Sequence, residues 1–157
     1  MRERLTTAGF EHYEVSNFAK PNHRSQHNFA YWKGRDYVGV GPGAHGRVSV
    51  EGKRYATIAE MRPQDYQDKV QETGLGISEK EALSRTEWGE EYLLMGLRIE
   101  DGISLARFEE IAGGKLSSEI IQEFVENNLL TQVGDRIKAT SQGRLLLNSI
   151  TKKLLVF

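Results

Sequence analysis

Glycine recurs at every second position in Gly39, Gly41 and Gly43, where the run DYVGVG of residues 36–41 reads as the end of a strand. Few features restrict a fold more. Glycine in a strand loses more backbone freedom on folding than any other residue and contributes no side chain to packing, so an alternating set needs a local cause. One cause is a strand face cleared of side chains, on which a flat ligand lies against the backbone and meets exposed N–H and C=O groups. The other is a bulged strand end or tight turn. Both stay open on spacing alone. The dinucleotide fingerprint does not apply, because G-x-G-x-G-A is followed by no credible helix. Position favours a ligand, since α/β proteins place ligands at the C-terminal ends of their strands, and Ser16 and Asn17 end the preceding strand in the same way.

The surrounding sequence supplies α/β organisation in miniature. RERLTTAGF reads as a helix closed by Gly9, HYEVSNFA as a β-rich run, and RVSVEGKRYATI as a hairpin about Glu51-Gly52. These strands are too few to close a barrel or to be covered on both faces, so an edge is left open. MRPQDYQDKVQETGLGIS is a polar joint. Beyond it the period becomes helical: Ser78 and Glu81 form a capping box for a long helix carrying Leu83, Trp88, Tyr92, Leu93, Met95 and Leu97. SLARFEEIAG, capped by Ser104 and stopped by Gly113, and LSSEIIQEFVENN, capped by Ser117, are two amphipathic helices. LLTQVGDRIKAT makes two strands about Gly134-Asp135, and SQGRLLLNSITKKLLVF is a last helix. That order is winged-helix-like.

Composition narrows the function classes. Of 157 residues 38% are hydrophobic and 27% charged, as in a soluble globular protein, and neither a membrane-length apolar run nor a signal-like start is present. A cytoplasmic location is expected. The absence of cysteine excludes disulfides, thiolate nucleophiles and any thiolate-held zinc or iron–sulfur site built from this chain alone. A winged helix raises the question of DNA, yet the helix before the wing carries Glu119, Glu123 and Glu126 with no lysine or arginine. Residues 79–157 hold ten basic against thirteen acidic residues. DNA affinity depends on cations set against phosphates, so no DNA partner is expected and a packing module is the plainer reading. In HNFAYW, Phe29 and Trp32 suit a core with His27 and Asn28 in loop hydrogen bonds. The same residues also suit a metalloporphyrin site in which the imidazole is an axial ligand and Tyr31 and Trp32 offer ring faces. The four histidines lack zinc-site spacing, and no G-x-S-x-G elbow occurs.

Residues 9–46, GFEHYEVSNFAKPNHRSQHNFAYWKGRDYVGVGPGAHG, strongly resemble the oxygen-independent coproporphyrinogen III oxidase-like radical SAM family, and IKATSQGRLLLNSI resembles the end of that family's C-terminal domain. The resemblance covers about two fifths of a family member, its C-terminal part. It implies a fold of α/β (α+β) class: the last strands of a partial β/α barrel over 1–60, a linker over 61–78, and a HemN-type winged-helix-like domain over 79–157. It further implies S-adenosylmethionine contacts from Gly41, Gly43, Ala44 and His45. HNFAY matches the H-N-x-x-Y motif of the heme-chaperone branch, HemW type, which assigns heme to His27, Asn28 and Tyr31, with His27 as candidate iron ligand. The [4Fe-4S] cluster of the family is held by a cysteine motif absent here, so the chain alone is expected to be catalytically inactive. The expected function is binding of heme and its delivery to acceptor proteins. The alternative is oxidative decarboxylation of porphyrinogen propionates. Open strand edges also predict self-association of the isolated chain.

Overall fold

The computed structural model describes residues 2–155. The chain divides into two compact units, one formed by residues 1–34 together with 89–157 and the other by 35–88. The first unit begins with α1 (Arg2–Thr7), which ends as expected before Gly9 in a left-handed conformation, φ +80°. A short antiparallel pair follows, β1 (Glu11–His12) with β2 (Phe18–Ala19). α2 (Gln26–Trp32) comes next, where an unassigned loop was the sequence expectation. Ser25 starts it, its hydroxyl accepting the Asn28 N–H. Tyr13, Ala19, Phe29, Trp32 and Ile99 form one buried cluster, with Met95 packed on it.

In the second unit β3 (His45–Val50), β4 (Lys53–Ala59) and β5 (Ile77–Ala82) make an antiparallel sheet in chain order. The β3–β4 hairpin turns at Glu51 and Gly52, both at positive φ, as the alternation predicts. Three expectations are corrected here. DYVGVG is no strand: Tyr37 alone bridges to Arg47, and Val38 and Val40 are 68% and 81% exposed. The polar joint contains α3 (Pro63–Thr73), whose Pro63 sits in the first turn where a missing N–H costs nothing and whose end is Gly74 at φ +77°. Ser78 and Glu81 are not a capping box but part of β5, where Ser78 Oγ donates to the Ile58 carbonyl. The true box lies six residues on. Glu87 accepts from the Ser84 N–H and Oγ–H at 2.8 and 2.7 Å while Ser84 Oγ accepts the Glu87 N–H, opening α4 (Arg85–Gly96).

The remainder follows the expected order with one added strand. β6 (Ile103–Ser104) runs directly into α5 (Leu105–Ala112), then α6 (Ser118–Glu126), and β7 (Leu130–Val133) with β8 (Arg136–Ala139) close a sheet of order β6-β8-β7. Ser104, Ser117 and Gly113 act as the sequence indicates. The final segment starts as a 3-10 turn, Gly143–Leu146, before α7 (Leu147–Leu154). Gly143 is required there: a Cβ would overlap the Leu129 carbonyl oxygen. Leu93, Leu97, Ile103, Phe108, Leu130, Ile137, Ile150 and Leu154 are wholly buried, giving this mixed α/β unit its core.

Candidate functional site

α2 presents the first set of candidate residues. His27 and Tyr31 stand four apart, hence on one helical face, and the Tyr31 hydroxyl meets His27 Nε2 at 2.8 Å with the rings edge to face at 4.7 Å. His27 is exposed, Tyr31 and Asn28 half-buried. Nδ1 of His27 makes no hydrogen bond among the described residues. Asn28 contributes its backbone N–H to the Ser25 cap. Trp32 is corrected as a ring face for a ligand, because it is buried with Phe29 in the core beneath the helix. Apolar periodicity decides this: positions 29 and 32 face inward, 27 and 31 outward.

The helix is mounted rigidly. Tyr13 stacks on Phe29 at 5.7 Å and meets Trp32 edge-on at 5.9 Å, its hydroxyl accepts the Ser25 N–H, and Arg24 lies over its ring. At the other end Lys33 pairs with Asp101 at 2.7 Å and covers the Phe29 ring. The Lys33 bond holds the Asp101 carboxyl below the ordinary carboxylate range. Next to Tyr13 is a residue the sequence reading passed over. Glu14 has no solvent exposure; its Oε2 accepts from the Ser16 N–H, Ser16 Oγ–H and Asn17 Nδ2–H, and its Oε1 from Arg98 Nε and Nη2. Burial pushes its pKa up, but the Ser16 N–H, the Asn17 amide and the Arg98 guanidinium outweigh it and hold the carboxyl below its usual value. An acid inside the β-rich run YEV, followed by Ser-Asn, was the available signal. Ser16 and Asn17 thus serve Glu14 rather than a ligand at a strand end.

The glycine segment belongs to the other unit. Each of its glycines has its own local cause. A Cβ on Gly39 would lie 2.5 Å from the His45 carbonyl oxygen, so two backbone segments touch there; Gly41 and Gly43 have φ of +104° and +67°. The expected exposed N–H groups are already engaged: Gly41 donates to the Tyr66 hydroxyl, Gly43 to the Glu60 carbonyl, and Ala44 to the Gly41 carbonyl. What stays open is the Gly41 Cα, with nothing within 4 Å of where a Cβ would stand, and the exposed side chain of His45 at the head of β3. Gly41, Gly43, Ala44 and His45 are therefore brought together in one turn, whereas His27, Asn28 and Tyr31 lie in the first unit.

Among the described residues no group of three His, Asp or Glu side chains could hold a metal ion, and no helix is long and apolar enough to cross a membrane. With no cysteine in the sequence, the donor set does not fit an iron–sulfur cluster. A heme iron needs only one or two axial donors, and an exposed imidazole on a braced helix fits that role.

Residues 83–146 match the model of the HemN C-terminal domain. The chain is 35% identical to the mitochondrial radical S-adenosyl methionine domain-containing protein 1 of Danio rerio, over 97% of this chain and 36% of that protein. It is 36% identical to the heme chaperone HemW of Lactococcus lactis, over 97% of this chain and 39% of the relative. In fold it is similar to the solved coproporphyrinogen III oxidase HemN of Escherichia coli, with a TM-score of 0.64 at 18% identity, covering 98% of this chain and 39% of that one. The chain thus spans well under half the length of the relatives it matches.

Proposed function

Because this chain carries a HemN C-terminal domain and is homologous over nearly its whole length to the C-terminal part of HemW-type proteins, we propose that it serves as the heme-holding portion of a radical S-adenosylmethionine heme chaperone. The observation that carries the reading is His27: an exposed imidazole on a short helix braced from below by Tyr13, Phe29 and Trp32, with Tyr31 on one ring nitrogen. Heme supplies an iron that accepts one more nitrogen donor. The chain's part is to orient that donor, and Tyr31 does so by fixing one face of the ring. With Nε2–H donating to Tyr31 the ring lone pair sits on Nδ1; with the Tyr31 O–H donating to Nε2, release of Tyr31 frees the Nε2 lone pair.

On the same reading the Gly41–His45 turn lies against S-adenosylmethionine largely through backbone, that of the open Gly41 and of His45. The cysteine-held [4Fe-4S] cluster comes from the part of a full-length relative that this chain does not span. Residues 1–60 then correspond to the end of the barrel, 61–78 to the joint, and 79–157 to a winged-helix-like domain. Residues 79–157 do not read DNA on this account, since Glu119, Glu123 and Glu126 on α6 would face phosphates and Glu123 already takes Lys153.

A titration with heme followed through the Soret band tests the assignment. Wild type gives a shifted, saturable band; His27→Ala loses it or weakens binding by about tenfold, and Tyr31→Phe changes the band position while binding persists. Equal binding by wild type and His27→Ala would remove His27 as the ligand. For a full-length protein, conversion of coproporphyrinogen to a vinyl product would instead favour the oxidase.

A further inference from the structure

A second candidate site on the first unit is lined by none of the residues of α2. Arg98 and Arg144 line a cavity of about 410 Å³ with Val15, Leu145 and Leu146, and Arg144 also lines an adjoining cavity of about 380 Å³ with Lys138 and Glu100. Both arginines are held in place from behind. Arg98 is fixed by the buried Glu14 carboxylate, and Arg144 donates to His12 Nδ1 at 3.3 Å. The His12 ring is itself oriented by its Nε2–H bond to the Val15 carbonyl and by stacking on Phe18 at 4.5 Å. Guanidinium groups fixed in this manner lose little freedom when they bind a carboxylate. Beside them the 3-10 turn pushes Leu145 and Leu146 into solvent, 84% and 46% exposed, next to cations rather than in a core.

We propose that this groove docks an extended, acidic, leucine-bearing peptide segment of a partner protein. Two features select that occupant. Two adjoining cavities divided by one arginine suit a chain running across Arg144 better than a compact small molecule. With Arg98 neutralised by Glu14 behind it, the groove presents two further cations, Arg144 and Lys138, against one acid, Glu100, in a protein whose formal net charge is −1. Apolar side chains of the segment cover Leu145 and Leu146, and its carboxylates meet Arg144 and Lys138. The proposal stands independently of the heme reading.

The test is fluorescence anisotropy of a fluorescein-labelled eight-residue peptide alternating leucine and glutamate, with glutamine-for-glutamate and lysine-for-glutamate versions as controls. The glutamate peptide should bind saturably, the other two should not, and Arg144→Glu should weaken binding about tenfold or more. Leu145→Ser alters an exposed side chain, keeps the fold by circular dichroism, and should weaken it too. Equal binding of the glutamate and glutamine peptides, or unchanged binding by a folded Leu145→Ser, overturns the proposal. So does displacement of the peptide by duplex DNA, or self-association that Leu145→Ser abolishes while no peptide binds.

Discussion

Glu14, buried and bonded to Ser16, Asn17 and Arg98, has asymmetric energetics. Its removal leaves Arg98 without a carboxylate and three further donors unmatched. Breaking a fully buried pair costs about 3–5 kcal/mol; with Arg98 partly exposed, Glu14→Gln should cost roughly 2–3 kcal/mol, read from denaturant midpoints. The pH dependence has a definite sign. A carboxyl held below its unfolded value contributes stability that is fully present above that value and is lost as pH falls through the lowered folded one. Wild type should therefore lose stability on acidification below about pH 4.5 more steeply than Glu14→Gln. Equal acid limbs would show the carboxylate to be dispensable. Sequence reading did not reach this residue because the information is non-local: Arg98 lies far along the chain, and nothing in HYEVSN names its partner. His27 and Tyr31 were grouped only by the H-N-x-x-Y resemblance; the helix that puts positions four apart on one face is not announced by the local sequence, which reads as a loop.

Helices and strands were legible where their signals are local. Ser104 with Gly113, Ser117, and the Glu51-Gly52 and Gly134-Asp135 turns all act where the spacing places them. The misplaced capping box has a physical source: Ser78-x-x-Glu81 and Ser84-x-x-Glu87 are equally good patterns, and pairing of Ile77–Ala82 with β4 selects the second. Ser84→Ala should cost about 1 kcal/mol and Ser78→Ala only a few tenths, by thermal unfolding. The reverse ranking would contradict the assigned start of α4. The 36–41 segment failed as a strand for a similar reason. Gly39 is pressed on the backbone of Ala44 and His45, which a periodicity of two cannot convey. Gly39→Ala should destabilise the second unit by roughly 1–3 kcal/mol through that overlap, whereas Gly41→Ala meets open space and suffers only its positive φ, about 1 kcal/mol. Circular dichroism melts of the two variants separate the effects.

For the whole molecule, open strand edges were inferred from strand count; in the β3-β4-β5 sheet β5 has one neighbour among the described strands and β3 is met on its other side by the Tyr37–Arg47 bridge alone. Val38, Val40 and Met61 are exposed in the same unit. The isolated chain should self-associate as concentration rises, and Val40→Lys should reduce that association; a monodisperse monomer by light scattering at high concentration would count against it. Contact between distant segments was the least legible property of all. Residues 1–34 belong with 89–157, and the 35–88 unit is spliced between them. On the ribosome, the first helices must wait for residues beyond the 35–88 unit, Met95 and Ile99 first among them, before their own core can close. A protease that nicks an exposed turn such as Glu51-Gly52 should therefore yield two bands under denaturing electrophoresis and a single particle under native conditions, since the severed halves would still share one interior.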